Sequence, residues 1–279
     1  MNRHRTRTDR ACAGLSRLAA TAAIASIAAL LVASPSLAQW AAPTVLRPQV
    51  LAEYPHDSGA FTQGLVWLDG RLFESAGLYG KSSLREVDPA TGKVARSVRL
   101  PDRYFAEGLA WFGGEFIQIT WKEGEALRWP RSPWSSSPAA LRRFRYAGEG
   151  WGLTTVGEGK TAALWMSNGS DTLVRRDAAF RITARVAVRR EGRPVDRLNE
   201  LEAARGKIVA NIWYSDTLVV IDPRDGRVTA VIDGSALAAR SGRRSDDVMN
   251  GIAWDPARDE FYLTGKNWPR MYRVKIEGF

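Results

Sequence analysis

Five apolar runs along this chain open in one way: a polar or aromatic residue, a small residue, then an aliphatic one. The copies read Gln63-Gly64-Leu65, Glu107-Gly108-Leu109, Trp151-Gly152-Leu153, Asn199-Glu200-Leu201 and Asn250-Gly251-Ile252, with Glu200 standing in the small place of the fourth. Their middle residues lie 44, 44, 48 and 51 positions apart. Each opening leads into a β-rich hairpin. Leu65–Leu68 meets the Asp69-Gly70 turn and returns through Arg71–Glu74; Leu109–Phe112 meets Gly113-Gly114 and returns through Glu115–Trp121. Leu201–Ala204, Arg205-Gly206 and Lys207–Trp213 repeat the arrangement, as do Ile252–Trp254, Asp255–Asp259 and Glu260–Thr264. An Asp-Gly pair between apolar runs is a strong hairpin signal. Third strands end at Asp88-Pro89 and Asp222-Pro223, and Thr91–Val94 and Asp225–Val228 start outer strands.

A period in the forties with strand content marks a propeller blade. The expected fold is all-β, a five-bladed β-propeller of four-stranded antiparallel blades. Closure is expected between the two chain ends, with Val50–Tyr54 adding an outer strand to Met271–Ile276 and so removing exposed edges. Glycine and β-branched residues break every long helical window. Pro130–Pro138 reads as a surface loop between blades, and Ala236–Asp247 as another with a short helical turn. Trp67, Trp111 and Trp254 fall at one place in three repeats and are assigned to packing between blades.

Composition changes the picture mainly at the N-terminus. Met1–Arg17 carries five arginines and one acid, Leu18–Val32 is an Ala/Ile/Leu run, and Ser36-Leu37-Ala38 is a small-x-small site. This predicts a signal peptide over 1–38 and one domain over 39–279, exported to the periplasm or secreted. The apolar run is short for a membrane span, so no stable insertion is expected after cleavage; a retained anchor is the alternative. Cleavage would leave Gln39 as the new N-terminus. The only cysteine, Cys12, precedes the apolar run, so the exported chain would hold no disulfide. Removing five arginines and one aspartate takes the net charge from +10 to +6. With no basic run, that charge reads as solvated surface, and no nucleic-acid partner is expected.

In a blade the innermost strand lines the channel and the second returns beside it, so starts of first strands meet ends of second strands at one mouth. Gln63, Glu107, Trp151, Asn199 and Asn250 supply the starts. Glu74, Trp121, Ser167-Asn168, Trp213 and Lys266 are expected to supply the ends. An acid among indoles loses water and its pKa climbs toward neutrality, where it both takes and gives a proton. No histidine joins them, since His4 goes with the leader and His56 lies before the first blade; no Ser-His or Cys-His nucleophile and no zinc spacing occurs. The plain structural alternative is that such polar residues cap strands and hold rim water.

At these residues the chain resembles the plant and bacterial type of glutaminyl-peptide cyclotransferase, or glutaminyl cyclase, a five-bladed propeller family. The matching stretches are Phe61-Thr-Gln-Gly-Leu65, Glu74-Ser-Ala-Gly-Leu-Tyr-Gly80, Phe105-Ala-Glu-Gly-Leu109, Gln118-Ile-Thr-Trp121, Glu149-Gly-Trp-Gly-Leu-Thr154, Leu198-Asn-Glu-Leu-Glu202, Ala210-Asn-Ile-Trp213, Met249-Asn-Gly-Ile-Ala253 and Thr264-Gly-Lys-Asn-Trp-Pro269. The resemblance implies an acyltransferase that turns N-terminal glutamine of peptides or proteins into pyroglutamate with loss of ammonia. Glu107 matches the catalytic acid; Phe61, Gln63, Phe105, Trp121, Trp151, Asn199, Trp213 and Lys266 match the pocket. Asn168 departs from the pattern, where an Asp is expected. The zinc-dependent animal form has an unrelated fold that nothing here resembles.

On this reading Glu107 carries both proton transfers, while Lys266, Gln63 and Asn199 orient the amide or steady the oxyanion. No metal ligand is assigned and no cofactor is required for catalysis; a structural calcium in the channel is left open, and a monomer is expected. Two rivals remain: an exported propeller that binds without catalysis, and a metal-dependent lactonase using Glu74, Asn199 and Asn250, a poor set for a hard cation.

Overall fold

In the computed structural model, which describes residues 41–278, the predicted hairpins become the inner halves of five blades. The expected signal peptide, with His4, Cys12 and the cleavage site before Gln39, lies outside the described residues. Two short strands come first, β1 (Thr44–Leu46) and β2 (Gln49–Pro55). Blade I is β3 (Thr62–Leu68), β4 (Arg71–Ala76), β5 (Ser83–Val87) and β6 (Val94–Arg99). Blade II is β7 (Ala106–Phe112), β8 (Glu115–Thr120), β9 (Glu125–Pro130) and β10 (Arg143–Arg145). Blade III is β11 (Leu153–Val156), β12 (Ala163–Met166), β13 (Thr172–Arg176) and β14 (Ile182–Ala187), followed by a small hairpin of β15 (Arg189–Arg190) and β16 (Arg193–Pro194). Blade IV is β17 (Leu198–Ala204), β18 (Lys207–Ile212), β19 (Thr217–Ile221) and β20 (Val228–Asp233). After a one-and-a-half-turn helix, α1 (Ser235–Arg240), blade V is β21 (Met249–Asp255), β22 (Glu260–Gly265) and β23 (Arg270–Lys275).

Turn chemistry fixes the hairpins. Asp69-Gly70, Gly113-Gly114 and Arg205-Gly206 all have positive φ at both residues, which two-residue hairpin loops demand. They join Leu68 to Arg71, Phe112 to Glu115 and Ala204 to Lys207 as facing pairs.

The core explains why the strands read as apolar runs instead of alternating. Successive side chains point to opposite faces, and here both faces are covered by a neighbouring blade. Phe73 joins the cluster between blades I and II, with Leu109, Phe116 and Trp129. Leu72, next to it, joins Tyr262 and Met271 between blades V and I. The other interfaces hold Ile117 with Leu164, Leu173 with Leu201, and Val209 with Phe261. Each such side chain contributes about 1.5–3 kcal/mol on full burial.

Closure is by chain ends, as expected: β2 pairs antiparallel with β23 from Gln49↔Lys275 to Pro55↔Arg270, giving blade V its outer strand. One strand was not foreseen. β1 adds a fifth strand to blade IV, parallel to β20. The 130–138 segment lies inside blade II, linking β9 to β10, and not between blades; its buried Pro133 and the neighbouring Trp134, stacked 6.2 Å from Phe73, hold it against blade I. α1 does lie between blades, before β21. Of the three repeat tryptophans, Trp67 stacks on Tyr262 of the next blade at 4.9 Å. All three also line a hollow of about 480 Å³ at the far end of the channel.

Candidate active site

The small residue of the repeat has a packing cause. A Cβ at Gly108 would meet Leu153 N at 2.4 Å, and one at Gly152 would meet Asn199 O at 2.0 Å. Each blade's innermost strand therefore closes on the backbone of the next. Where blade IV has Glu200 instead, the fully buried side chain reaches across to accept Leu65 N at 3.3 Å.

The residues just before those positions sit where pairing breaks register. The breaks fall between Thr62 and Gly64, Ala106 and Leu109, Leu198 and Leu201, and Met249 and Ile252. A bulge re-aims the side chain at the end of a strand; here it frees Gln63, Glu107 and Asn199 to face the channel mouth. The facing strand ends are pinned by backbone bonds: Trp121 N donates to Phe105 O at 2.9 Å, Trp213 N to Arg197 O at 2.8 Å, and Lys266 N to Val248 O at 2.9 Å.

Phe61, Gln63, Phe105, Glu107, Trp121, Trp151, Asn199, Trp213 and Lys266 thus surround one cavity of about 210 Å³. That is smaller than the roughly 300 Å³ at which drug-sized sites begin, and suits one amino-acid side chain. The wall is aromatic and mostly edge-to-face: Phe105 lies 5.4 Å from Trp121 and 6.0 Å from Phe61, and Trp151 lies 5.3 Å from Trp213.

Glu107 is 5% exposed. Its Oε1 accepts from Gln63 Nε2 at 2.9 Å, while Oε2 is buried with no protein partner. Burial, reinforced by Glu149 and Glu123, lifts this carboxyl well above its usual range, with Lys266 opposing. Lys266 is buried as well, its Nζ 4.7 Å above the Phe61 ring, and burial lowers it to about 8 against the pull of Glu107. The backbone beneath is held by Ser75 Oγ, which donates to Glu107 O at 2.5 Å and accepts from Gln118 Nε2 at 2.8 Å.

Four residues expected at the mouth do not line the cavity; Ser167 is buried, its Oγ accepting from Gly152 N at 2.7 Å and donating to Asn199 O at 2.6 Å. Glu74 is inside β4 opposite Leu65, and the strand-end place belongs to Gly77, whose N donates to Phe61 O. Both Glu74 oxygens are taken, by Thr62, His56 and Arg85, which leaves none for a channel cation. Asn250 lies behind the cavity, its Nδ2 donating to Gln63 Oε1 at 3.2 Å and fixing which way that amide points. Asn168 turns outward and accepts from Ser170 Oγ. Among the described residues no three His, Cys, Asp or Glu side chains group as metal ligands.

Sequence reasoning gave no role to Glu149, Glu123 or Tyr79. Glu149 Oε2 accepts from the indoles of Trp121 and Trp151. Tyr79 donates to Glu123 Oε1 at 2.8 Å and packs edge-on to Phe105. The signal for Glu149 was its place two residues before Trp151, matching Phe61 before Gln63 and Phe105 before Glu107.

The profile of the glutamine cyclotransferase family matches residues 21–276. Over 234 residues the chain is 40% identical to the glutaminyl-peptide cyclotransferase of Arabidopsis thaliana, covering 82% of this chain and 71% of that protein. The fold is similar to the crystal structure of Myxococcus xanthus glutaminyl cyclase, with TM-score 0.76 and 37% identity over 84% of this chain and 98% of that one.

Proposed function

The chain belongs to the glutamine cyclotransferase family and converts N-terminal glutamine of peptides and proteins into pyroglutamate with release of ammonia; we propose that Glu107 moves both protons. The observation that carries this role is the free, buried Oε2 of Glu107 inside an aromatic cavity.

The substrate's α-amine attacks the Cδ of its own side-chain amide, so nucleophile and electrophile arrive already joined. As the new C–N bond forms, Glu107 takes a proton from the attacking nitrogen and the carbonyl oxygen becomes an oxyanion. Lys266 and the amides of Gln63 and Asn199 surround that oxygen with donors. Glu107 then returns the proton to the amide nitrogen, the old C–N bond breaks, and ammonia leaves. No proton or electron is left over. A carboxyl held above its usual range suits both halves, because its acid and base forms are close in energy near neutral pH. The indoles exclude water from the oxyanion and grip the aliphatic part of the glutamine.

This chemistry needs no zinc or other cofactor, and the enzyme acts as a monomer after export. The test is ammonia release from a Gln-initiated dipeptide, with and without a strong chelator. Turnover that survives chelation and drops at least about 100-fold in Glu107→Gln is the expected result. Wild-type kcat in that variant would remove Glu107 from the chemistry. No turnover by the folded wild type would leave a propeller that binds peptide ends without changing them.

A further inference from the structure

In three blades, the residue two positions before the rim residue faces the cavity region: Phe61, Phe105 and, in blade III, Glu149. A carboxylate at the place of two phenylalanines asks for a reason. We propose that Glu149 is a positioning residue for the cyclisation, its single oxygen Oε2 holding the Trp121 and Trp151 indoles at the spacing between which the glutamine is gripped. This rests on the reading of the cavity as the glutamine site.

The two indoles come from different blades, Trp121 at the end of β8 and Trp151 ahead of β11, and nothing covalent sets their angle. Trp121 Nε1 donates to Glu149 Oε2 at 2.8 Å and Trp151 Nε1 donates to the same atom at 2.9 Å. Charge-assisted bonds of this length are about twice as strong as neutral ones, and two on one atom leave the rings little freedom. The other oxygen, Oε1, faces Lys122 Nζ at 3.8 Å, and that ammonium lies 3.7 Å over the Trp121 ring. Trp121 is thus held at its edge and on one face.

The backbone that presents Glu149 is fixed as well. Gly150 N donates to Trp121 O at 2.9 Å and Trp151 N to Ser167 O at 3.1 Å. A Cβ at Gly150 would come within 2.5 Å of the Tyr146 hydroxyl and 2.9 Å of Thr120 O. Glu149 itself is not a core residue, its side chain being 39% exposed and that of Lys122 52%. An ion pair this open adds little stability. The clamp therefore acts on the geometry of the walls more than on the fold, and losing it shows in substrate handling.

The experiment compares wild type, Glu149→Ala and Glu149→Gln by dipeptide kinetics, thermal melting and the indole N–H resonances of the ¹⁵N-labelled protein. Glutamine keeps an acceptor oxygen for both indoles; alanine does not. The expected result is a drop of about 10–100-fold in kcat/KM for Glu149→Ala, weighted toward KM, because small misplacements of gripping groups cost up to about 10². Tm stays near wild type, Glu149→Gln recovers most of the loss, and only the Trp121 and Trp151 N–H signals move upfield in the alanine variant. Equal losses in both variants, a loss that tracks a fall in Tm, or unmoved indole signals would overturn the proposal. Inactive wild type would instead refute the reading of the cavity, and the indole signals would then decide the clamp alone.

Discussion

Gln63 donates its side-chain amide to Oε1 of Glu107 across 2.9 Å, and Asn250 Nδ2 reaches Gln63 Oε1 from behind at 3.2 Å. The amide of Gln63 is thereby oriented with its donor toward the acid. The bond ties down one oxygen of Glu107 and leaves the other for the substrate. It also favours the ionised form, against the burial that disfavours it. Gln63→Leu should therefore raise the Glu107 pKa further and cost about 1.5–3 kcal/mol of support to the charged acid, or about 10–100-fold in kcat/KM at neutral pH. Asn250→Ala removes the contact that orients Gln63, together with a 2.8 Å bond from Asn250 Nδ2 to Thr62 O, and should cost less. Steady-state kinetics checks both; a Gln63→Leu enzyme with an unmoved acid limb would deny the bond its role.

The pH profile has a direction on each side. Glu107 must be ionised to take the amine's proton, and burial holds its pKa well above the usual carboxylate range, so kcat/KM should rise with pH on a limb displaced upward from 4.5. Lys266, lowered to about 8, should lose its charge above that pH and bring the rate down. In Lys266→Arg the guanidinium stays charged and the alkaline fall should move out of range. Lys266→Met should lose about 10²–10³-fold, the usual effect of removing an oxyanion donor. The ratio of variant to wild type at each pH cancels the titration of the substrate's own amine.

Much of this was legible before any coordinates. The five blades announce themselves because Gly64, Gly108, Gly152 and Gly251 recur where one inner strand meets a neighbouring blade, a need that fixes residue type at a regular spacing. The rim residues sit beside those glycines, so they repeat with them. What stayed hidden depends on register and long-range pairing. Hairpin spacing places Glu74 on the second strand but does not reveal that it sits opposite Leu65, short of the strand's end. β1 is three residues long and pairs with a strand far along the chain, Thr44 opposite Ala230, leaving no local trace. His56 lies before the first blade in sequence, yet ring closure buries it.

Gly152 tests the spacing argument. Its missing Cβ would lie 2.0 Å from Asn199 O, a backbone atom that cannot swing aside. Gly152→Ala must push blades III and IV apart beside the cavity. The expected cost is about 1–3 kcal/mol, or roughly 2–12 °C in Tm for a chain of this length, together with reduced kcat/KM as Asn199 shifts. Thermal melting and kinetics of the same preparation measure both. A variant with wild-type Tm would show that the blades have slack there.

The ring closure should carry its own pH dependence through His56. Arriving just after β2, its Nδ1 donates to Trp268 O in blade V at 2.7 Å and its Nε2 faces Glu74 Oε1 in blade I at 3.1 Å. Arg85 Nη2 donates to Glu74 Oε2 at 2.6 Å. Burial alone would drive both His56 and Glu74 neutral. Their mutual attraction, with Arg85 helping the acid, outweighs it, raising His56 and lowering Glu74 to about 2. A raised histidine stabilises fully below its unfolded pKa of about 6.5 and loses that contribution as pH climbs through the higher folded value. A depressed glutamate stabilises above about 4.3 and loses it as pH falls toward 2. Glu74→Gln leaves the buried Arg85 facing a neutral amide, lets burial drive His56 neutral, and should cost about 3–5 kcal/mol at neutral pH. The Tm advantage of wild type over His56→Asn should be full near pH 6 and shrink steadily above it. An advantage equally large at pH 6 and pH 9 would mean that the closed ring holds a neutral imidazole.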